Sequence, residues 1–576
     1  MNPSPPSNSD DAAASAWASL HPKVQHWIWK QEWKELRDVQ ARAVAPILAG
    51  RDVILAAPTA GGKTEAAFLP IASALADDPA GSFRALYIGP LKALINDQCD
   101  RLDSLCGAAG IDVHKRHGDA SVLKKAAALK NPTGVLLTTP ESLEALFVIH
   151  GSRLAVYFAK LAYVVVDELH AFIGDERGRQ VQTQLHRLEL ILRRRVPRVG
   201  LSATLGDMAL AAEALRPGAG DGVEVIQAKS DGAEVRILIR GVVKPLSPSV
   251  GKSESEADAP EPTEPTEPPE PPDPPEPMGE LQEVADDLFR RLRGADNLVF
   301  ANSRARIERL ADLLRTASEK AGVRNEFLPH HGGLAKELRQ DVERDLKSKH
   351  VHLTAVCTST LEMGIDIGAV ESVAQVGPPP SVASLKQRIG RSGRRAGQPQ
   401  VLRGYSLEDE CDSKSALRTA LRLNTVQFCA MTDLMLTRWT EPPRAGVLHL
   451  STLVQQTLSV LAQTGGARAD VLWRALCDTG PFREVSAADY GEFLRSLAAF
   501  ELIQQLHDDS LFLDLKGERM VEHFDFYAAF QAIDEWRLVA DGRAIGTTSI
   551  STPMMVGEHL LFAGRRWQIE IGRAHV

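Results

Sequence analysis

Five groups of residues in this 576-residue chain have types and spacings that could do chemistry. The first is Ala57-Pro58-Thr59-Ala60-Gly61-Gly62-Lys63-Thr64. Residues this small let backbone N–H groups turn inward around an anion. Lys63 can reach terminal phosphates, and Thr64 can offer its hydroxyl to Mg²⁺. The second is Asp167-Glu168-Leu169-His170. Adjacent carboxylates at the mouth of a sheet are costly unless a cation or a reaction uses them. Asp167 therefore reads as a metal ligand and Glu168 as the group that orients and activates an attacking water; an acidic loop start is the plainer alternative. The third is Ser202-Ala203-Thr204, whose hydroxyls can hydrogen-bond the acid pair. The fourth is Gly364-Ile365-Asp366 followed by Gln387-Arg388-Ile389-Gly390-Arg391-Ser392-Gly393-Arg394. Arg391 and Arg394 are three apart and project from one side of a helical turn. Two guanidinium groups suit the charge that develops in phosphoryl transfer; a nucleic-acid-facing cluster or a basic helix start fits equally. The fifth is Gln40, twenty-three residues before Lys63, whose amide can donate and accept at once, as the adenine edge requires. A surface-helix glutamine is the alternative.

These residues need elements to hold them. The apolar run Val53 to Ala56 reads as a strand before the loop, and Glu65 to Ala76 as a helix after it. Further apolar runs are Ala85–Ile88, Gly134–Leu137, Ala162–Val166 and Val199–Leu201. Continuous rather than alternating apolar character predicts strands buried on both faces, as in a parallel sheet. The predicted fold is a doubly wound α/β domain with ligands at the carboxyl ends of its strands. A second α/β pattern follows, with helices over Glu280–Leu292 and Arg304–Leu314 and strands over Asn297–Ala301, Leu353–Cys357 and Val370–Val376. It has no Gly-Lys-Thr loop and is not expected to bind its own nucleotide. Between the two, Ser253 to Pro277 carries nine acidic residues, no basic ones and ten prolines. Such a run cannot form a core; in extended form it spans about 80 Å and is read as a solvated spacer at a domain boundary.

The chain's net charge is −9, so outside this acidic run positive and negative charges balance. A neutral body neither requires nor excludes nucleic acid. Apolar residues make up 44% of the chain, the share of an ordinary globular protein. Six cysteines without a Cys-x-x-Cys pair read as buried free thiols rather than a zinc site. The first fifteen residues lack the basic start and apolar core of a signal peptide, and no run reaches transmembrane length. A cytoplasmic protein is expected. Beyond the second α/β pattern, Ser451–Thr464, Ala469–Cys477 and Ala487–Phe500 read as short amphipathic helices, and Leu502–Leu515 as a hairpin. Three helices and a wing describe a winged helix, with Trp473 in its core. From Met520 short apolar runs alternate with glycines, as in a β-rich domain.

Taken in order, Gln40, Ala57–Thr64, Asp167–His170, Ser202–Thr204, Gly364–Asp366 and Gln387–Arg394 resemble the motif series of superfamily 2 DEAD/DEAH-box helicases. Pro90-Leu91-Lys92-Ala93-Leu94, Thr139-Pro140-Glu141-Ser142-Leu143 and Ser359 to Gly368 narrow the resemblance to the large-helicase-related (Lhr) type. The resemblance implies an α/β fold of two tandem RecA-like P-loop lobes with ATP and Mg²⁺ in the cleft between them, then a winged helix and the start of a β-rich domain. The expected division is an unstructured N-terminus at 1–18, lobe 1 at 19–249, the acidic linker at 250–278, lobe 2 at 279–425, the winged helix at 426–515 and the β-rich part at 516–570. Carried onto this chain, the family's roles give Gln40 to adenine. They give the loop from Ala57 through Pro58, Thr59, Ala60, Gly61 and Gly62 to Lys63 and Thr64 to phosphate and metal. Asp167 binds metal, and Glu168 positions water. Gly364 belongs to the ATP site, Asp366 lies at the ribose, and Gln387 lies near the γ-phosphate. Arg391 and Arg394 are arginine fingers. His170, Ser202 and Thr204 couple the site to motion. Lys92, Thr139, Ser303, Arg304 and Thr358 fall where such motors grip a nucleic-acid backbone.

The implied activity is ATP-driven 3′ to 5′ translocation on single-stranded DNA by a monomeric motor, with unwinding of DNA or RNA–DNA duplexes and no membrane. An RNA-remodelling helicase and a nucleotide-switched clamp are the rival readings. The winged helix would brace the lobes and line the strand's exit, with sequence-specific reading as its alternative. The last six residues, 571–576, resemble a translated sequencing adapter, so a truncated gene fragment is expected, with Met520 to Ile569 as an incomplete sheet with unpaired edges.

Overall fold

Four consecutive apolar residues, Val53–Ala56 (β1), are buried, and so are all four residues of Ala85–Ile88 (β2), Val135–Thr138 (β4, ending in a threonine) and Tyr163–Val166 (β5). Val113–Arg116 (β3), Arg198–Ser202 (β6) and Glu224–Gln227 (β7) complete a seven-stranded sheet of order β3-β4-β2-β5-β6-β1-β7, with every pair parallel. Alternation sorts each strand's side chains into two layers. Val53, Leu55 and Tyr87 face one layer with Phe68 and Ile71; Ile54, Leu86 and Ile88 face the other with Phe147 and Leu185. The structure is a computed structural model and describes residues 8–570 apart from 58–60, 79–80, 204–205, 229–233, 245–277, 349–350, 364–366, 394–396, 414, 443–445, 529–534 and 550–553. The acidic run and the tail at 571–576 therefore lie outside the described residues.

The chain divides into two compact units, residues 1–231 with 441–532, and residues 232–440 with 533–576. This corrects the expected divisions. Val235–Lys244 (β8) belongs to the second unit, where it pairs in parallel with Gln400–Asp409 (β13) over ten residues. With Asn297–Ala301 (β9), Phe327–His330 (β10), Thr354–Cys357 (β11) and Ser372–Val376 (β12) it forms a six-stranded sheet of order β10-β11-β9-β12-β13-β8. The second lobe thus begins before the acidic run, which falls inside it. Both sheets carry the RecA-like parallel architecture.

The N-terminus also differs from expectation. Asn8–Ser19 is a helix that packs on the Asp38–Leu48 helix and buries Ala16 and Leu20. An alanine-rich segment pays little side-chain entropy to fold, and two apolar residues one turn apart suffice to dock it.

In the first unit, the helices Leu450–Thr464 and Ala487–Ala499, a short helix Ala469–Trp473 and the strands Ala467–Arg468, Ser510–Leu513 and Ile503–Gln505 form the winged helix. Trp473 packs on its core and donates its indole N–H to Val485 O at 3.4 Å. The Leu515–Glu522 helix and Phe526 join the same core, so this module extends past the expected boundary at 515. Buried Arg187 fixes the module to the first lobe. It pairs with Glu144 at 3.0 Å, donates to Gln456 at 2.8 Å and Gln463 at 2.6 Å, and lies 4.3 Å over the Phe147 ring. Glu144 also accepts from Gln184, Gln456 and Ser459. The two buried charges are paired with each other and with neutral groups, which offsets most of the cost of burying them, although Arg187 Nε has no partner among the described residues.

In the second unit two antiparallel hairpins follow, Glu535–Ala540 with Arg543–Ser549 and His559–Phe562 with Arg565–Gln568. The β-rich part, expected as an incomplete sheet, consists among the described residues of two separate two-stranded pieces. One stripe of the Arg304–Lys320 helix holds both. Arg304 pairs with Glu535 at 2.9 Å, Glu308 accepts from the N–H groups of Ala563 and Gly564, and Asp312 accepts from Arg566. Of the six cysteines, Cys106, Cys357 and Cys477 are buried, but Cys411 and Cys429 are exposed, against the expectation for all six. No helix among the described residues is long and apolar enough to cross a membrane.

Candidate functional site

β1 delivers the phosphate-loop sequence to the start of the Lys63–Leu75 helix. Gly62 caps that helix at φ +76°, in the left-handed region. The positive φ favours glycine, and a Cβ there would also come within 2.7 Å of the Gln40 side-chain amide nitrogen, which would have to shift. Gln40 is 2% exposed, and its carbonyl oxygen accepts the Arg37 N–H at 3.0 Å. It therefore braces the loop against the start of the Asp38–Leu48 helix, a packing role that neither sequence reading included. Lys63 donates from Nζ to Ala57 O at 2.8 Å, and Thr64 is buried in the helix's first turn. Gly61 is part-buried beside them; Pro58, Thr59 and Ala60 lie outside the described residues.

β5 carries the acid pair past its carboxyl end. Asp167 donates its N–H to Ile88 O at 2.8 Å, so the pair sits at the sheet mouth beside β2. Asp167 Oδ1 accepts the Glu168 N–H at 2.8 Å, and Oδ2 accepts from the Tyr87 hydroxyl. Burial, then the neighbouring Glu168 charge, raises the Asp167 carboxyl well above the usual carboxylate range, while Tyr87 and Lys63 oppose the shift. Burial and the same two carboxylates push the Tyr87 phenol up, which keeps it a donor. Glu168 adopts φ +48°, a left-handed conformation that a glutamate takes only where its surroundings enforce it. The kink starts the Leu169–Phe172 turn and places His170 Nδ1 3.6 Å from Glu168 Oε2. The same nitrogen lies 3.4 Å from Ser202 Oγ and accepts the Ala203 N–H at 3.4 Å. His170 Nδ1 thus lies between Glu168 and the end of β6; Thr204 lies outside the described residues.

These residues fit a magnesium–nucleotide. A lysine and a helix N-terminus suit a polyphosphate, and a buried hydroxyl with a buried carboxylate pair forms an oxygen donor set that calls for a hard divalent cation. Thr64 and Asp167 would hold the metal, and Lys63 the phosphates.

In the second unit, Gln387 lies on the Val382–Ile389 helix and Arg391 follows it. Arg391 is 1% exposed and donates from Nε at 3.1 Å and Nη2 at 2.5 Å to Glu362 O. Arg388, which the sequence reading passed over, is buried as well. It pairs with the Glu362 carboxylate at 2.8 Å, donates to Gln375 at 2.5 Å and lies 4.9 Å over the Phe300 ring. Glu362 is therefore the hub of the arginine turn. Gly364, Asp366 and Arg394 lie outside the described residues.

The expected backbone-gripping residues sit at element starts. Lys92 opens the Lys92–Ala108 helix and pairs with Asp119 at 3.0 Å. Thr139 precedes the Pro140–His150 helix, with its hydroxyl 3.4 Å from Ser142 Oγ. Ser303 caps the Arg304–Lys320 helix by accepting the Arg306 N–H at 3.2 Å, and Thr358 precedes the short Ser359–Leu361 turn. Arg304 is already paired with Glu535.

The DEAD/DEAH box helicase family matches residues 37–211, and the helicase conserved C-terminal domain matches residues 280–396. The chain is 32% identical over 403 residues to the Lhr helicase/probable uracil glycosylase of Mycolicibacterium smegmatis, covering 62% of this chain and 25% of that protein. It is 32% identical over 398 residues to the ATP-dependent helicase Lhr-Core of Methanothermobacter thermautotrophicus, covering 66% and 43%. The chain thus spans less than half the length of these curated relatives. Its fold is similar to that of the Mycobacterium smegmatis helicase Lhr bound to ssDNA and AMP-PNP, with a TM-score of 0.72 and 26% identity over 91% of this chain and 63% of that one. The chain carries a DEAD/DEAH box helicase domain and a helicase C-terminal domain, the two domains of an ATP-dependent helicase, and has large-helicase-related (Lhr) proteins as relatives.

Proposed function

We propose that the chain is an ATP-driven translocase that moves 3′ to 5′ along single-stranded DNA and separates DNA or RNA–DNA duplexes. The observation that carries the reading is the juxtaposition of Glu168 with His170 and Ser202 at the sheet mouth that also holds Lys63 and Thr64. It supports reading Glu168 as the water-activating carboxylate, next to a histidine that reaches a second strand end. Similarity to an Lhr helicase solved with ssDNA and AMP-PNP supports nucleic acid and ATP as ligands.

Bound ATP with Mg²⁺ supplies the γ-phosphoryl group whose transfer to water releases the free energy for motion. Lys63 and the N–H groups at the start of its helix neutralise phosphate charge. Thr64 and Asp167 hold the metal. Glu168 orients the water and takes its proton, a contribution of about 10²–10⁴-fold for a positioned base. His170 and Ser202 pass the state of that carboxylate to the end of β6. In the second unit, Arg391 and Arg394 are our candidates for the guanidinium charge that phosphoryl transfer needs; Arg391 donates to Glu362 O in this structure. Lys92, Thr139, Ser303, Arg304 and Thr358 hold the strand by its phosphates, so sequence preference is weak. The protein works as a monomer.

Strand separation with 3′-tailed and 5′-tailed DNA and RNA–DNA duplexes tests the reading. Unwinding of the 3′-tailed duplexes alone is expected. Unwinding confined to RNA duplexes would make the protein an RNA-remodelling helicase, and ATP turnover without any unwinding would make it a clamp.

A further inference from the structure

The Tyr87 hydroxyl is a polar group in an apolar layer. Tyr87 is the third residue of β2, is fully buried, and is paired in register with Leu137 and Val165. Its ring lies 6.1 Å from Phe68, and Leu55 and Ile95 share the layer. Phenylalanine would fill the same space. A buried hydroxyl without a partner costs about 1–3 kcal/mol, so the atom is tolerated only for the bond it makes. That bond goes to Asp167 Oδ2, eighty residues away and one residue past the end of β5.

Its consequence lies in how the carboxylate is held. Oδ1 takes the Glu168 N–H and Oδ2 takes the Tyr87 hydroxyl. Each carboxylate oxygen has two acceptor directions, so one on each remains for a ligand, and the plane of the group is fixed by two donors. The same ring also packs on Phe68, one turn beyond Thr64 on the Lys63–Leu75 helix. A single side chain therefore touches both elements that bear the proposed metal ligands.

We infer that Tyr87 is a positioning residue for magnesium binding, holding the Asp167 carboxylate in the orientation that the metal of the bound nucleotide requires. The inference rests on the proposed ATP site. Donors behind a metal ligand typically set about 10–100-fold in metal affinity, so the effect is measurable.

The test is Tyr87→Phe in the full chain, read by binding of a fluorescent ADP analogue as Mg²⁺ is varied, and again in EDTA. The expected result is at most a small fall in melting temperature, unchanged affinity in EDTA, and a rise of about tenfold in the Mg²⁺ concentration that half-tightens nucleotide binding. In an Asp167→Asn background, Tyr87→Phe should shift nothing further. If Tyr87→Phe lowers the melting temperature, Tyr87→Met, which keeps bulk and removes the hydroxyl, must reproduce the Mg²⁺ shift. Equal Mg²⁺ midpoints in wild type and variant, or an equal loss of affinity in EDTA, would overturn the inference while leaving the ATP site standing. A wild type whose nucleotide binding ignores Mg²⁺ would overturn the site itself.

Discussion

The two lobes put different sequences at the same place in the same topology. In the first, β1 is followed by a loop and the Lys63–Leu75 helix, and the chain then enters the sheet three places away at β2. In the second, β8 is followed by residues 245–277 and the Met278–Leu292 helix, and the chain enters three places away at β9. Where the first lobe has Gly61-Gly62-Lys63-Thr64, the second has the acidic, proline-rich run. One position carries residues that gather phosphate, and its counterpart carries residues that repel it. Shared architecture thus says little about chemistry; the loop decides which lobe binds nucleotide. Each lobe also has its own buried arginine–glutamate hub, Arg187 with Glu144 in the first and Arg388 with Glu362 in the second.

The comparison can be broken at several points. Lys63→Ala should lower ATP turnover about a hundredfold or more, since it removes a positioned charge on the phosphates. Strand binding without nucleotide should survive; its loss would mean a damaged fold. Arg187→Ala and Arg388→Ala should each cost about 3–5 kcal/mol, because a buried carboxylate is left unpaired. Calorimetry and limited proteolysis should place the first loss in the winged-helix unit and the second in the other. A single shared transition that moves equally in both variants would contradict that partition. Glu535→Gln should change stability by less than about 1 kcal/mol, since its pair with Arg304 is half-exposed. The smallest effect is expected from replacing residues 253–277 with glycine and serine of equal length. Nucleotide affinity should not change, and a marked change would contradict the contrast drawn between the two segments.

What the sequence made legible follows from physical locality. The phosphate loop and the acid pair are contiguous, so their chemistry lies in neighbouring letters. Strands buried on both faces, such as β2 and β5, read as apolar runs. Edge strands did not: β3 is Val-His-Lys-Arg and half-exposed, and β8 mixes Arg236, Arg240 and Lys244 with apolar residues because only one edge and part of one face are covered. That is why the start of the second lobe was misplaced. Glu144, Gln184, Arg187 and Gln456 look like surface-helix residues, and only the packing of distant helices buries them. Tyr87 was hidden in the same way, as one more apolar letter in a strand whose hydroxyl finds its partner eighty residues later.

The central claim is that Glu168 activates water for ATP hydrolysis. The most direct measurement is steady-state ATP turnover with and without single-stranded DNA, for wild type beside Glu168→Gln. The account predicts DNA-stimulated turnover in wild type and a loss of about 10²–10⁴-fold in the variant, with nucleotide binding retained. Equal turnover in the two proteins under both conditions would contradict it.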